Sequence, residues 1–373
     1  MNKAMRNELS LALGIGATFA ALLGRKKLAA GLACSAGAVY FGGAKNKDSF
    51  YRQSVVITGG SRGLGLALAK QLASEGARLT LIARDLGELE RAAKMVRDAY
   101  PGTEILILAC DVTESDPLLT AFNKIEATYG GIDMLINNAG AISVGPFESM
   151  VTEDFEAQMR LHLYAVIEAV QLALPSLYQS EGRRIVNICS MGGKVAVPHM
   201  LPYDASKFAL AGFSQGLMAE LAADGISVTT VYPTVMRTGS PIQAVFKGDH
   251  EKEYAWFAIS DVFPGISLSA ESAAKKIVEA ARERRTDLTP SVPARARNIL
   301  AAIFPETFAR IMQALAGLMP VGQSHERKTG AESRNLVEKS WLAAPFRWRA
   351  RTLEKRLNQR PKRDADFNMG IRH

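Results

Sequence analysis

A chain of 373 residues, 48% hydrophobic and only 7% aromatic, has room for one large domain with extensions or for two small domains. Its three cysteines, Cys34, Cys110 and Cys189, fit neither a disulfide framework nor a zinc site, and five scattered histidines form no HExxH pair, so no metal is expected and a reducing compartment fits best. The net charge is +8, with much of the excess near the C-terminus.

The chain opens on two apolar runs. Leu9 and "SLALGIGATFAALLG" come first, then Arg25, Lys26 and Lys27, then "LAAGLACSAGAVYFGGA" over 28–44. A spanning helix needs about 20 apolar residues, and each run is slightly short. Joining them would hold three cations near the bilayer centre at roughly 2.5–3.5 kcal/mol each, which argues against one long span. Two tilted short helices, one short span or a helix lying in the interface remain. Gly14, Gly16, Ala17, Gly31, Ser35 and Gly37 would permit close helix contact. Residues 1–50 therefore read as a membrane-anchor segment. The rivals are a signal peptide introduced by Lys3 and Arg6, or a helix pair buried in a soluble oligomer. Cations flank both runs, so orientation is not readable.

The texture changes at "SVVITGGSRGLGLALAKQLASEGA", residues 54–77. Ser54 to Ile57 reads as a buried strand. Gly59, Gly60, Gly63 and Gly65 follow, and from Leu64 the apolar residues take helical spacing. Strand, glycine loop and helix is the context a dinucleotide motif requires. Glycines let backbone approach a pyrophosphate, and the helix start offers free N–H groups and a positive dipole end. No lysine-serine pair of the nucleoside-triphosphate type follows. A second strand, "ARLTLIAR" at 77–84, ends on Arg84. An acidic residue there would bind ribose hydroxyls, whereas an arginine suits a 2′-phosphate. Arg62 in the loop could reach the same group bidentately. Both point to NADP(H), with Asp85 as the counter-signal.

Alternation continues along the chain. A helix over 86–99 precedes a strand over 104–110 that ends at Asp111 and Val112, where an adenine could rest. Helices over 116–129, 152–179, 202–222 and 270–284 alternate with strands over 133–140, 183–190 and 226–233. The pattern predicts an α/β fold, a doubly wound parallel sheet of about seven strands with helices on both faces. Ligands gather at the C-terminal ends of such strands. The glycine loop, Arg84, Asp111, the 137–140 stretch, Ser190 and Pro233 all fall there.

"TGGSRGLG" at 58–65, "NNAG" at 137–140, Ser190 in "NICS" and "YDASK" at 203–207 together resemble the short-chain dehydrogenase/reductase family, over about 52–290. The resemblance implies a catalytic set of Ser190, Tyr203 and Lys207. Tyr203 would exchange a proton with the substrate oxygen while hydride moves between nicotinamide and a carbonyl carbon. Lys207 would lower the phenol's pKa and bind the nicotinamide ribose, and Ser190 would position the substrate oxygen. It implies a cofactor cleft lined by Gly59, Ser61, Arg62, Gly63, Leu64, Gly65, Arg84, Asp111, Val112, Asn138, Ala139, Gly140, Tyr203, Lys207, Pro233 and Thr238. Two departures stand out. His162 falls where family members often carry a water-holding asparagine, and is expected to act in the proton relay, to fill a core position, or to mark a lost relay. Thr234 follows Pro233 where the family usually has glycine.

Beyond Thr238 the stretch to 269 reads as an insertion and a substrate lid (about 236–269), made apolar by Phe246, Tyr254, Trp256, Phe257 and Phe263. Residues 291–373 read as amphipathic helix broken near Pro305, then a basic tail at 346–363 suited to anionic lipid. No nucleic-acid fold accompanies that charge. The expected protein is thus an NADP(H)-dependent oxidoreductase for a lipophilic alcohol or ketone. Its catalytic domain would lie in the cytoplasm at a membrane, and pairing through helices 152–179 and 202–222 would give a homodimer or homotetramer. A nucleotide-binding scaffold without turnover is the alternative.

Overall fold

A computed structural model describes residues 3–41, 49–262, 267–339 and 352–359. The predicted alternation is present. Strands β1 (Ser54–Thr58), β2 (Arg78–Ala83), β3 (Ile105–Ala109), β4 (Met134–Asn137), β5 (Arg184–Ile188), β6 (Ser227–Val231) and β7 (Asp287–Leu288) form one sheet in the order β7-β6-β5-β4-β1-β2-β3. All six neighbouring pairs are parallel. The strand order reverses between β1 and β4, which places a ligand crevice beyond their C-terminal ends. Register keeps those ends level: Thr58 lies beside Ile82, Ala83 beside Ala109, Asn137 beside Asn187 and Ile188 beside Val231.

Helices preceding and crossing the sheet follow from apolar spacing and capping. After α1 (Lys3–Leu22) and α2 (Lys26–Phe41) come α3 (Gly63–Ala73), α4 (Leu86–Ala99) and α5 (Ser115–Tyr129). The helix predicted over 152–179 is continuous but not uniform. It runs as α6 (Thr152–Met159), one π turn over Arg160–Tyr164, and α7 (Ala165–Gln179). Then come α8 (Leu201–Leu221), α9 (His250–Val262) and α10 (Ala270–Arg282). One face of the sheet buries Leu66, Leu72, Leu89, Val96, Ile277 and Val278 from α3, α4 and α10. The other buries Leu118, Ile125, Val170, Leu177 and Leu210 from α5, α7 and α8. Burial of each such side chain contributes about 1.5–3 kcal/mol, so the two cores fix the strand ends rigidly.

The region predicted as a lid is a small folded layer. Val245–Phe246 pairs with Ser143–Val144 and with Lys328–Thr329 in a three-stranded sheet. Phe246 and Tyr254 are buried there with Val144 and Ala244, and Phe257 packs against them, so three of the lid aromatics make their own core. Phe263 lies outside the described residues.

The apolar runs at the N-terminus form a helical hairpin, α1 against α2, turning at Gly24 and Arg25. Leu11, Ile15, Phe19, Leu22, Leu23 and Leu28 remain exposed on it. Near the other end α11 (Val292–Ile303) and α12 (Pro305–Ala316) meet at a bend of 116°, as Pro305 predicts. Ile299, Ile303, Phe304 and Ile311 are exposed on that bent pair. A cavity shared by Asn7, Val292 and Arg295 brings the start of α1 beside the start of α11. Among the described residues, one straight helical run, 152–179, is long and apolar enough to cross a membrane, and it packs into the core of the sheet domain.

Candidate active site

The glycine loop joins β1 to α3, and its shape is enforced from beneath. Thr58 Oγ1 accepts the Asn138 and Ala139 amides at 3.0 and 3.1 Å. Asn138 Nδ2 returns bonds to the Thr58 and Gly59 carbonyls at 3.0 and 3.1 Å. Asn138, expected at the cofactor, thus spends its side-chain amide holding the β1 end to the β4 end. Thr58 was absent from the expected site set, although its hydroxyl is the centre of this clamp. Gly59 has φ 65, and a side chain on it would lie 2.8 Å from the Ala139 Cα. A side chain on Gly65 would overlap the Gly59 carbonyl. Gly59 is required by its backbone contact with the 138–139 turn and Gly65 by contact within the loop, while Gly63 (φ 56) faces outward toward Thr238 and Gln359.

Beside the loop, Arg62 Nη1 pairs with Glu88 Oε1 at 3.1 Å, and Ser61 Oγ donates to Glu88 Oε2 at 3.1 Å. Burial lowers the Arg62 pKa, against the opposing pull of Glu88. Asp85, read from sequence as a signal against NADP(H), caps α4 instead, its Oδ1 accepting the Glu88 amide at 2.8 Å. Arg84 extends from β2 with its side chain 54% exposed, and its nearest acid is Asp111 at 3.8 Å. Asp111 Oδ1 also closes a turn on Thr113, accepting its amide and hydroxyl at 2.9 and 2.7 Å. Val112 beside it is buried.

At the other end of the crevice, α8 carries Tyr203 and Lys207 on one face, as residues four apart must be. Lys207 is buried, with Nζ donating to the Ile188 carbonyl at 3.0 Å and standing 5.8 Å from the Tyr203 ring centre. Burial pushes its ammonium down to about 8. The half-buried Tyr203 phenol moves the other way. Burial raises its pKa, and a hydrogen bond with Ser190 only partly offsets this. The phenol expected to be acidified by its cation is therefore held protonated across the neutral range.

Ser190 is fixed by accepting the Gly192 amide at 3.0 Å. Gly192 and Gly193 let α8 close onto β5. A side chain at 192 would overlap Asp204, and one at 193 would come within 2.6 Å of the Lys207 carbonyl. The glycine pair in "SMGG" was the sequence signal for this contact. Pro233 supports the same turn, its carbonyl accepting the Met191 amide at 2.9 Å.

His162 lies in the π turn, fully buried, its ring edge-on to Tyr203 with centroids 5.4 Å apart. Its Nε2 accepts the Ala141 amide at 3.3 Å, which leaves Nδ1 as donor to Ser206 Oγ at 2.8 Å. Ser206 donates onward to the Tyr203 carbonyl at 2.7 Å. Burial, with the Lys207 charge adding to it, drives the His162 pKa well below 6.5. Both ring nitrogens are engaged, so His162 as placed ties the 138–141 turn to the catalytic helix and has no nitrogen left for a water. Gly140 lies against it, with its Cβ position 3.1 Å from Nε2.

The donor set fits a dinucleotide. The first turn of α3 carries N–H groups of the kind that suit a phosphate, its Gly63 amide donating to a carbonyl oxygen at 2.9 Å, and Arg62 with Ser61 already hold an anion. Among the described residues there is no group of acidic, histidine and cysteine side chains able to hold a metal.

Comparison with known proteins agrees with this geometry. The short chain dehydrogenase family matches residues 53–245. A fatty acyl-CoA reductase of Acinetobacter baylyi is 33% identical over 201 residues, covering 52% of this chain and 68% of that protein. A Burkholderia phymatum short chain dehydrogenase/reductase solved with NAD superposes with a TM-score of 0.61 at 24% identity, over 70% of this chain and 96% of that one. The Gluconobacter frateurii L-sorbose reductase, solved with NADPH and L-sorbose, gives 0.58 at 25% identity, over 65% and 97%. With its seven-stranded sheet, its glycine loop and its Ser190–Tyr203–Lys207 arrangement, the chain belongs to the short-chain dehydrogenase/reductase family of NAD(P)-dependent oxidoreductases.

Proposed function

We propose that this protein is an NADP(H)-dependent reductase of a lipophilic carbonyl compound, working at a membrane with its catalytic domain in the cytoplasm. The observation that carries the reading is the Tyr203 phenol beside Ser190 and the buried Lys207, at the end of β5. A bound dinucleotide would supply hydride from its nicotinamide. The chain's own part is proton delivery and positioning. Ser190 Oγ donates to the substrate oxygen, Tyr203 Oη gives that oxygen its proton, and Lys207 holds positive charge behind the phenol as it ionises.

NADP(H) is preferred over NAD(H) in this reading because Arg84 ends β2 largely unengaged, with Arg62 close by. Lipophilic substrate and membrane are supported by the exposed apolar side chains of the α1–α2 hairpin and of the bent α11–α12 pair, whose first turns share a cavity. The fatty acyl-CoA reductase relative points to the same substrate class. In a hairpin arrangement Arg25, Lys26 and Lys27 sit at the turn, which removes the cost of burying them at mid-span. Exposed Tyr164, Tyr178, Leu201 and Phe208 on α7, α8 and the π turn suit pairing of two copies.

The test is Tyr203→Phe beside the parent, with NADPH oxidation followed against long-chain aldehydes and ketones. The variant should lose at least about 100-fold in kcat while binding NADPH equally. Equal turnover removes the proposed acid. Tight NADPH binding by a parent that turns over none of the panel would place the chain with nucleotide-binding scaffolds.

A further inference from the structure

The described part of the basic C-terminal stretch is not free in solvent. Residues 352–356 form a helical turn, and the three residues after it lie across the glycine loop. The Gly63 amide donates to the Leu357 carbonyl at 2.9 Å. Asn358 adopts left-handed backbone (φ 57), which asparagine tolerates, and this turns its carboxamide inward. Its Nδ2 donates to the Ser61 and Glu88 carbonyls at 2.8 and 3.0 Å, and its Oδ1 accepts from Arg91 Nε at 3.2 Å. The Gln359 carbonyl accepts from Gln243 Nε2 at 2.9 Å. The Gln359 side-chain nitrogen stands 2.9 Å from where a Gly63 Cβ would be, and Thr238 Cβ stands 3.8 Å from the same point.

The segment therefore bridges the two banks of the crevice, the glycine loop on one side and the Thr238–Gln243 stretch on the other. Its anchors are substantial. Leu357 is 1% exposed in the α3–α10 core, and Arg356 pairs with Glu271 at 3.0 Å. The chain also sets its own acceptors on the donors that suit phosphate: a carbonyl on the Gly63 amide, and the Glu88 carboxylate on Arg62 and Ser61. One feature speaks against a permanent lock. Gln359 Oε1 is buried without a hydrogen-bond partner among the described residues, which costs about 1–3 kcal/mol.

We propose that residues 352–359 compete in cis with the dinucleotide for the phosphate end of the crevice, so that cofactor binding displaces them. The proposal rests on the dinucleotide reading above. While the segment is docked the loop is not competent to bind, so the apparent affinity falls by the docked fraction. Tethering keeps the competitor at high local concentration whatever the protein concentration.

Two measurements on the full chain test this. NADPH titrated by its own fluorescence should bind Asn358→Ala about tenfold more tightly than the parent, because undocking raises the competent fraction. Equal or weaker binding by the variant overturns the competition. In the parent, amide hydrogen exchange over 352–359 should rise at least about fivefold on saturation with NADPH, as a docked segment opens. Unchanged or slower exchange overturns it too, since cofactor and segment would then sit together. Failure of both proteins to bind NADPH or NADH would instead defeat the dinucleotide reading, and the competition with it.

Discussion

The two ends of the crevice are prepared differently. At the reaction end, the partners of Ser190, Lys207 and His162 leave the Tyr203 phenol and the Ser190 hydroxyl together at the strand ends, held from behind. At the nucleotide end, the donors are already taken: Arg62 and Ser61 by Glu88, and Gly63 by Leu357. The first end can act without rearranging its groups. The second must exchange partners before it holds phosphate. Affinity for cofactor should therefore be tunable by residues far from the chemistry, whereas the chemical step should be sensitive only to residues near Tyr203.

The sharpest break of that contrast is Ser190→Ala. It should lower kcat by about 10²–10³ with little change in NADPH affinity, as loss of a donor to the reacting oxygen does. An equal loss in affinity would mean the two ends are not separable. His162→Ala should act on stability more than on binding. It leaves the Ala141 amide without its acceptor, at about 1–3 kcal/mol, read as a lower denaturant midpoint. The parent should also carry a pH signature. His162 is held neutral with its pKa depressed below 6.5, so the unfolded chain takes up the proton first as pH falls. Its contribution to stability is present above that value and is lost as pH drops toward the depressed one. Melting temperatures from about pH 7.5 to about pH 5 should fall less in His162→Gln than in the parent. Arg84→Glu is the smallest effect. It should shift the NADPH-to-NADH affinity ratio toward NADH by about tenfold, the worth of one charged contact, with kcat on NADH unchanged. A ratio unmoved by that substitution would assign the 2′-phosphate to Arg62 alone.

The alternation of strands and helices, the glycine loop and the position of Tyr203 and Lys207 were legible because each depends on local spacing: β-branched runs, glycines over eight residues, a four-residue helical interval. The role of His162 was not, because its partners Ala141 and Ser206 lie 21 and 44 residues away and nothing local distinguishes a bonded ring from a free one. Glu88 was hidden for another reason. It reads as an ordinary acid in the first turn of α4, and only the fold shows it holding Arg62. The three-stranded layer was missed because two-residue strands carry no period. The docking of Asn358 on Ser61 spans 297 residues and sits in a stretch whose composition signals only charge. That stretch reads as a basic tail, yet its Leu357, Asn358 and Gln359 lie across the glycine loop.

The Tyr203 phenol is proposed to face the nicotinamide of a bound dinucleotide. Its most direct measurement is the 13C resonance of the Tyr203 ring carbon bearing the hydroxyl, assigned by its absence in Tyr203→Phe and followed while NADPH is added. That resonance should move with saturation of the cofactor site while those of Tyr51 and Tyr100 stay in place. A Tyr203 resonance that does not move when NADPH is fully bound would contradict it.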